Sequence, residues 1–231
     1  MMILAGLQAT SLIDYPGRVS SVAFISGCNF RCPYCHNPAL AMGHYPERIS
    51  EKDLLAFLLP RRKLIDALVV SGGEPTLHPG LAQLCRSIRN LGLAIKLDTN
   101  GSRPEVLEDL IRDQLVDYIA MDIKTALERY GPPIADPLAC RGVARSIRIL
   151  MDSGLDYEFR TTCVRPFVDE PVVASIAATI QGARQYVLQT FRSVTVLNPE
   201  HFKDANPGFD PAEMERLRQT ALPFVDRCSV R

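Results

Sequence analysis

Apolar β-rich runs alternate with amphipathic stretches along most of the chain, and this alternation limits the fold more than any other feature. Ser21–Ser26, Ala67–Ser71, Ala94–Asp98, Val116–Asp122, Tyr157–Val164 and Tyr186–Phe191 are the predicted strands. Most are nearly continuous apolar runs, the pattern of parallel strands covered on both faces. Helices fit between them. Ser50 with Asp53 three residues on resembles a capping pair, followed by the Leu54, Leu55 and Leu58 stripe. Leu81–Leu91, Val106–Gln114 behind Pro104, Ala139–Gly154, Val172–Gly182 and a last helix starting near Asp210-Pro211 complete the set. Roughly six βα units in one chain predict an α/β protein, either a doubly wound sheet or a barrel, whole or partial. In both, ligands sit at the carboxyl ends of the strands.

At 231 residues the chain suits one sizeable domain. We expect a single domain over 1–231, with its core over about 18–195 and a helical C-terminal extension over about 198–231. Asn198–Pro211 is the one turn-rich stretch long enough to be a mobile loop. Twenty-six basic residues balance 26 acidic ones, which argues against nucleic acid as a main partner. The start, Met1 to Pro16, lacks a secretory signal, and no uncharged run reaches membrane-spanning length, so the cytosol is expected and a membrane is not. Thiols stay reduced there. The seven cysteines are a poor disulfide framework, because Cys85, Cys140, Cys163 and Cys228 are scattered singly.

Cys28, Cys32 and Cys35 differ from these. They lie in Gly27-Cys28-Asn29-Phe30-Arg31-Cys32-Pro33-Tyr34-Cys35-His36-Asn37, directly after the first predicted strand. Three thiolates on one short loop can converge on one metal centre. An iron–sulfur cluster normally takes four protein ligands, so three leave one iron open. The same loop also matches a glutaredoxin-type dithiol (Cys32 to Cys35), a C-x-x-C-H haem attachment, a zinc site completed by His36, or unrelated thiols. Covalent haem needs an exported context, a dithiol leaves Cys28 unexplained, and zinc leaves the following motifs unexplained.

Those motifs end successive strands. Ser71-Gly72-Gly73-Glu74-Pro75 joins glycines that permit close approach to a carboxylate that can pair with an ammonium, though it is also a plain turn. Asp98-Thr99-Asn100-Gly101 reads equally as an Asn-Gly turn. Asp122 and Lys124 share one face of an extended strand, where a structural salt bridge is the simple alternative. Arg160 lies inside an apolar strand and needs a partner, either a core carboxylate or a ligand's carboxylate. Gln189 is a candidate for base or ribose contact. His44, His78 and His201 read as surface or loop residues.

C-x3-C-x2-C with an aromatic residue, Tyr34, before the last Cys is similar to the signature of radical S-adenosylmethionine (SAM) enzymes. That resemblance implies a partial (β/α)6 TIM-like barrel. It implies one [4Fe–4S] cluster on Cys28, Cys32 and Cys35, with SAM on the fourth iron. Gly72, Gly73 and Glu74 match the GGE motif that contacts the amino end of SAM. Asp98 and Asn100 match the DTNG motif of glycyl-radical-enzyme activases, which implies ribose contact and a monovalent cation near Asp98. Asp122 and Lys124 match their D-x-K, near SAM and the substrate backbone. Tyr34, Arg160 and Gln189 complete the expected cofactor-binding set.

The opening Thr10 to Arg18, then Phe24–Cys28 and Cys35-His36-Asn37-Pro38, resembles the activating proteins of glycyl-radical enzymes. The resemblance is nearest to the longer form of the anaerobic ribonucleoside-triphosphate reductase activating proteins. It runs over residues 5–195. The stretch between Cys35 and Gly72 has no Cys-rich ferredoxin-like insert, so one cluster is expected. The resemblance implies reductive cleavage of SAM to a 5′-deoxyadenosyl radical, which takes a hydrogen from a backbone Gly of a partner. The partners so implied are a glycyl-radical enzyme and a flavodoxin or ferredoxin-type electron donor. A pyruvate formate-lyase type activase, a radical SAM enzyme acting on a small molecule, and a non-catalytic dithiol protein are the alternatives.

Overall fold

The computed structural model describes residues 3–45, 48–135, 137–192, 195–203 and 206–231. Contacts divide the chain into two compact units. The first comprises Met1–Asn29, Ala39–Thr99 and Glu105–Ile119; the second comprises Phe30–Pro38, Asn100–Pro104 and Ala120–Arg231.

In the first unit, β1 (Ile3–Ser11) runs antiparallel to β2 (Ser20–Ile25) and to β3 (Ile49–Ser50). β2, β4 (Ala67–Gly72) and β5 (Ala94–Thr99) are parallel, with Ser20 opposite Ala67 and Ala67 opposite Ala94. Val22, Ala23, Ile25, Leu68, Val69 and Val70 are buried, as unbroken apolar strands covered on both faces must be. Tyr15, Val22, Ala67 and Val69 form one core cluster, with Tyr118 tilted 5.6 Å from Tyr15. A four-residue helix, α1 (Pro38–Ala41), follows the cysteine loop. α2 (Glu51–Leu58) starts at the predicted Ser50–Asp53 capping box and buries Leu54 and Leu58. α3 (Leu81–Arg89) buries Leu81, Leu84, Cys85 and Ile88 on one side. α4 (Pro104–Arg112) begins on the expected proline.

β6 (Tyr118–Asp122) begins in the first unit and ends in the second. There β7 (Asp156–Cys163), β8 (Tyr186–Thr190) and β9 (Cys228–Val230) are parallel, with Arg160 opposite Val187 and Val187 opposite Ser229. α5 (Pro137–Asp152) precedes β7. α6 (Glu170–Thr179) is capped by Asp169, whose carboxylate accepts from the Val172 N–H. α7 (Pro211–Ala221) is capped by the reciprocal Asp210–Glu213 box.

The sequence reading missed β1, the two-residue β3 and β9. β1, Ile3-Leu4-Ala5-Gly6-Leu7-Gln8-Ala9-Thr10-Ser11, mixes Gly, Gln and Ala into its pattern and carries register shifts at Leu4/Gly6 and Gln8/Ser11. β9 has three residues and gains its order from Tyr186, Val187 and Leu188 beside it. The chain from 198 onward is therefore not helical alone. The turn-rich stretch has local structure in its described part. Pro199–Phe202 forms a 3-10 turn whose rings pack: His201 stacks on Phe167 at 5.2 Å and Phe202 lies 6.0 Å from Phe191. Cys140 lies outside the residues whose side chains are described.

Candidate functional site

The first unit builds its share of the candidate residues mainly from close backbone fit. β2 ends and the chain turns through Gly27, whose φ is +91°. The Gly27 N–H donates to the Leu40 carbonyl at 2.7 Å and the Cys28 N–H to Ala41 at 3.1 Å, so α1 sets the entry to the cysteine loop. The end of β4 rides against the same turn. The Gly73 N–H donates to Ile25 O at 2.7 Å and the Glu74 N–H to Gly27 O at 2.8 Å. A Cβ on Gly73 would stand 2.1 Å from Gly27 O, and one on Gly72 would stand 2.3 Å from Ile25 O. Gly72 also has φ +123°. The two glycines are thus required by neighbouring backbone, whatever ligand they also serve.

Glu74 is 1% exposed, and its Oε1 accepts from the Thr76 N–H at 3.1 Å, Thr76 Oγ1 at 2.5 Å and Thr99 Oγ1 at 2.8 Å. This carboxylate caps the Pro75–Leu77 3-10 turn and ties it to β5. The tie to β5 was not disclosed by the sequence, because Thr99 meets Glu74 only once β4 and β5 are paired. At the end of β5, Asp98 accepts from Ser71 Oγ at 3.0 Å and pairs with Lys96 Nζ at 2.5 Å. Lys96 was not among the sequence candidates. Its signal was available: a lysine within Ala94-Ile95-Lys96-Leu97-Asp98, two residues before a carboxylate, shares a strand face with it.

The second unit builds its share from charge and aromatic packing. The Cys35 N–H donates to Cys32 O at 3.0 Å, closing a turn between the two thiols. Tyr34 is buried between them in sequence, donates its hydroxyl to Lys124 O at 3.3 Å, and packs on Phe167 at 5.3 Å. The Pro33 and Cys35 carbonyls accept from Asn198 N–H at 3.0 Å and Leu197 N–H at 3.1 Å. His36 stacks on Phe191 at 5.3 Å, and its Nε2 lies 3.0 Å from Arg192 O. The 195–203 segment therefore straps the cysteine loop, a contact that no local pattern announced.

Asp122 receives both Lys124 Nζ and Arg160 Nε, each at 2.8 Å. Arg160 thus has a core carboxylate as one partner, one of the two outcomes expected for it. Burial alone would raise the Asp122 carboxyl; Arg160 and then Lys124 overcome it and hold it well below the usual range. Burial would likewise lower the Lys124 ammonium, but Asp122 and then the Cys32 thiolate keep it above its ordinary value. Burial, then Cys32, pushes the Tyr34 phenol up, and burial does the same for Tyr130, whose hydroxyl accepts from the Lys124 N–H at 2.8 Å. Asn100 Oδ1 accepts from the Ser102 N–H at 2.9 Å, so the Asn-Gly turn is present. Gln189 sits near the carboxyl end of β8, opposite Thr162.

Among the described residues no disulfide involves Cys28, Cys32, Cys35, Cys85, Cys163 or Cys228. The donor chemistry of the loop fits an iron–sulfur cluster: soft thiolate ligands, with an ammonium and phenols in electrostatic reach of Cys32. Cys28 belongs to the first unit and the other two to the second, so their reading as one set rests on spacing in the chain. No helix among the described residues is long and apolar enough to cross a membrane.

The radical SAM superfamily model matches residues 22–178. A protein of Methanocaldococcus jannaschii that carries the provisional name glycyl-radical enzyme activating enzyme is 31% identical, over 99% of this chain and 95% of its own. The pyruvate formate-lyase-activating enzyme of Clostridium pasteurianum is 29% identical over 51% of this chain and 50% of its own. Among solved structures, a radical SAM methyltransferase from Sphaerobacter thermophilus superposes with TM-score 0.70 at 16% identity, covering 96% of this chain and 68% of that one. SuiB from Streptococcus suis superposes with TM-score 0.69 at 13% identity, covering 91% of this chain. The chain spans about half the length of SuiB, 48%, and its match to the Clostridium enzyme covers about half of each protein. The structural likenesses show the expected fold class, an α/β partial (β/α)6 barrel of the radical SAM type. With the family model matched over more than half of its length and a relative 31% identical across nearly all of it, this chain belongs to the radical SAM superfamily, enzymes that work with a [4Fe–4S] cluster and SAM.

Proposed function

We propose that the chain is a glycyl-radical-enzyme activase, with the C-x3-C-x2-C loop as its cluster-binding element. The observation that carries this reading is the near full-length likeness to the Methanocaldococcus protein, on a chain with this cysteine loop. When bound, the reduced cluster and SAM supply the electron and the 5′-deoxyadenosyl radical that removes a hydrogen from a backbone glycine. The protein's own residues bind and orient. Cys28, Cys32 and Cys35 hold the cluster. Lys124 brings a positive charge within electrostatic reach of Cys32, and Tyr34, Phe167 and the 195–203 strap cover the loop. Gly72, Gly73 and Glu74 receive the amino end of SAM, and Asp98 and Asn100 its ribose. Asp122, Lys124, Arg160 and Gln189 complete the polar lining. No side chain is required as a general acid or base.

Anaerobic ribonucleoside-triphosphate reductase is the proposed partner, on the Thr10 to Arg18 and Cys35-His36-Asn37-Pro38 segments. A pyruvate formate-lyase type partner is favoured equally by the likeness to the Clostridium enzyme. The proposed electron donor is a flavodoxin or ferredoxin, and the proposed compartment is the cytosol. The test is anaerobic reconstitution followed by mixing with SAM, reductant and each candidate partner. About four irons per chain and a glycyl-radical resonance on one partner are expected. Zinc in place of iron, or SAM cleavage with no radical on any partner, would reject the activase reading.

A further inference from the structure

The sequence resemblance implies a monovalent cation beside Asp98, and the residues present do not fit one. Lys96 is 1% exposed, and its ammonium stands 2.5 Å from Asp98 Oδ1. Asp98 Oδ2 accepts from Ser71 Oγ at 3.0 Å. The far side of the ammonium faces the Tyr118 ring, 5.9 Å from its centroid. Each carboxylate oxygen therefore already carries a donor, and one of the donors is a full charge. A metal ion at Asp98 would share a single carboxylate with a buried ammonium, or would displace it and leave Lys96 buried without its counter-ion.

We propose that Lys96 is the resident cation of Asp98, a positioning residue, so that this chain takes SAM without a monovalent metal at that carboxylate. Asp98 then meets its ligand as half of a neutral pair, its rotamer fixed by Lys96 on one oxygen and Ser71 on the other. The SAM part of this inference rests on the reading given under Proposed function; the cation part does not.

Two measurements on the full chain test it. SAM affinity of the anaerobically reconstituted protein is measured by equilibrium dialysis in sodium, potassium and tetramethylammonium chloride of equal ionic strength. The affinities should agree within about twofold, and a gain of about tenfold in sodium or potassium would overturn the proposal. Lys96→Arg should remain independent of the salt. Lys96→Met should lose about tenfold in tetramethylammonium and recover in potassium. A folded Lys96→Met protein that binds SAM like the parent in tetramethylammonium would equally overturn it. The second measurement is thallium(I) binding, a potassium stand-in, to the chain without SAM. Stoichiometric thallium on the unsubstituted chain, abolished by Asp98→Asn, would refute Lys96 as the resident cation. A chain that takes up neither iron nor SAM in any salt would reject the proposed function, while the thallium result would still judge Lys96.

Discussion

The two units arrange their candidate residues by opposite means. In the first, the ends of β2 and β4 meet backbone to backbone, with Gly72 and Gly73 leaving no room for a methyl group. In the second, Asp122, Lys124 and Arg160 hold one another by charge, and Tyr34, Phe167 and His201 hold the cysteine loop by rings. Backbone fit is steric and indifferent to pH. The ionic group is soft in shape and depends on protonation. The two units should therefore fail in distinguishable ways.

The largest effect should come from the loop itself. Cys32→Ala is expected to lose cluster iron and reduce SAM cleavage to background, measured by iron analysis and 5′-deoxyadenosine formation. Retained cleavage would end the three-thiol reading.

Asp122→Asn comes next. It leaves Lys124 and Arg160 together without their shared carboxylate, and the cost should be about 3 kcal/mol in urea unfolding of the chain without cluster. The sign with pH follows from the depressed carboxyl. A folded pKa below the unfolded one stabilises above about pH 4 and loses that stabilisation as pH falls through the acid range. The variant should therefore show a flatter loss of stability between about pH 4 and pH 2 than the parent. Parallel acid limbs would show that the ionic group contributes nothing.

Gly73→Ala should cost about 1–3 kcal/mol with no pH dependence, because its Cβ would strike Gly27 O. Gly131→Ala is the control, since nothing lies within 4 Å of the added Cβ, and its change should stay within about 0.5 kcal/mol. Equal effects at the two glycines would remove the steric half of the comparison.

The smallest effect should be at the buried thiols. Burial pushes Cys85 and Cys163 up to about 12, so neither should react with iodoacetamide at about pH 8 in the folded protein. Alkylation of Cys35 before either, followed by mass spectrometry, is the expected order, since Cys35 is partly exposed and the other two are buried.

Much of this was legible beforehand, for physical reasons. β2, β4 and β5 declared themselves because strands covered on both faces must be apolar throughout. The α2 cap was legible because a capping box is complete within four residues. Asp122 with Lys124 was legible because alternate strand residues share a face. Lys96 with Asp98 obeys the same rule and was passed over, since the motif reading began at Asp98. β1 and β9 were not legible, because each is ordered by the strand beside it.

The sequence by itself determined the α/β class, the cysteine loop at the end of a strand, and the polar motifs that close the later strands, because each is set by residues near one another in the chain. Only the tertiary structure decided which charges meet. It assigned Arg160 to Asp122, Thr99 to Glu74, and the 195–203 strap to Pro33 and Cys35. Those partners lie on different strands and loops, and the free energy of pairing a buried charge depends on what surrounds it in space rather than on what precedes it in sequence.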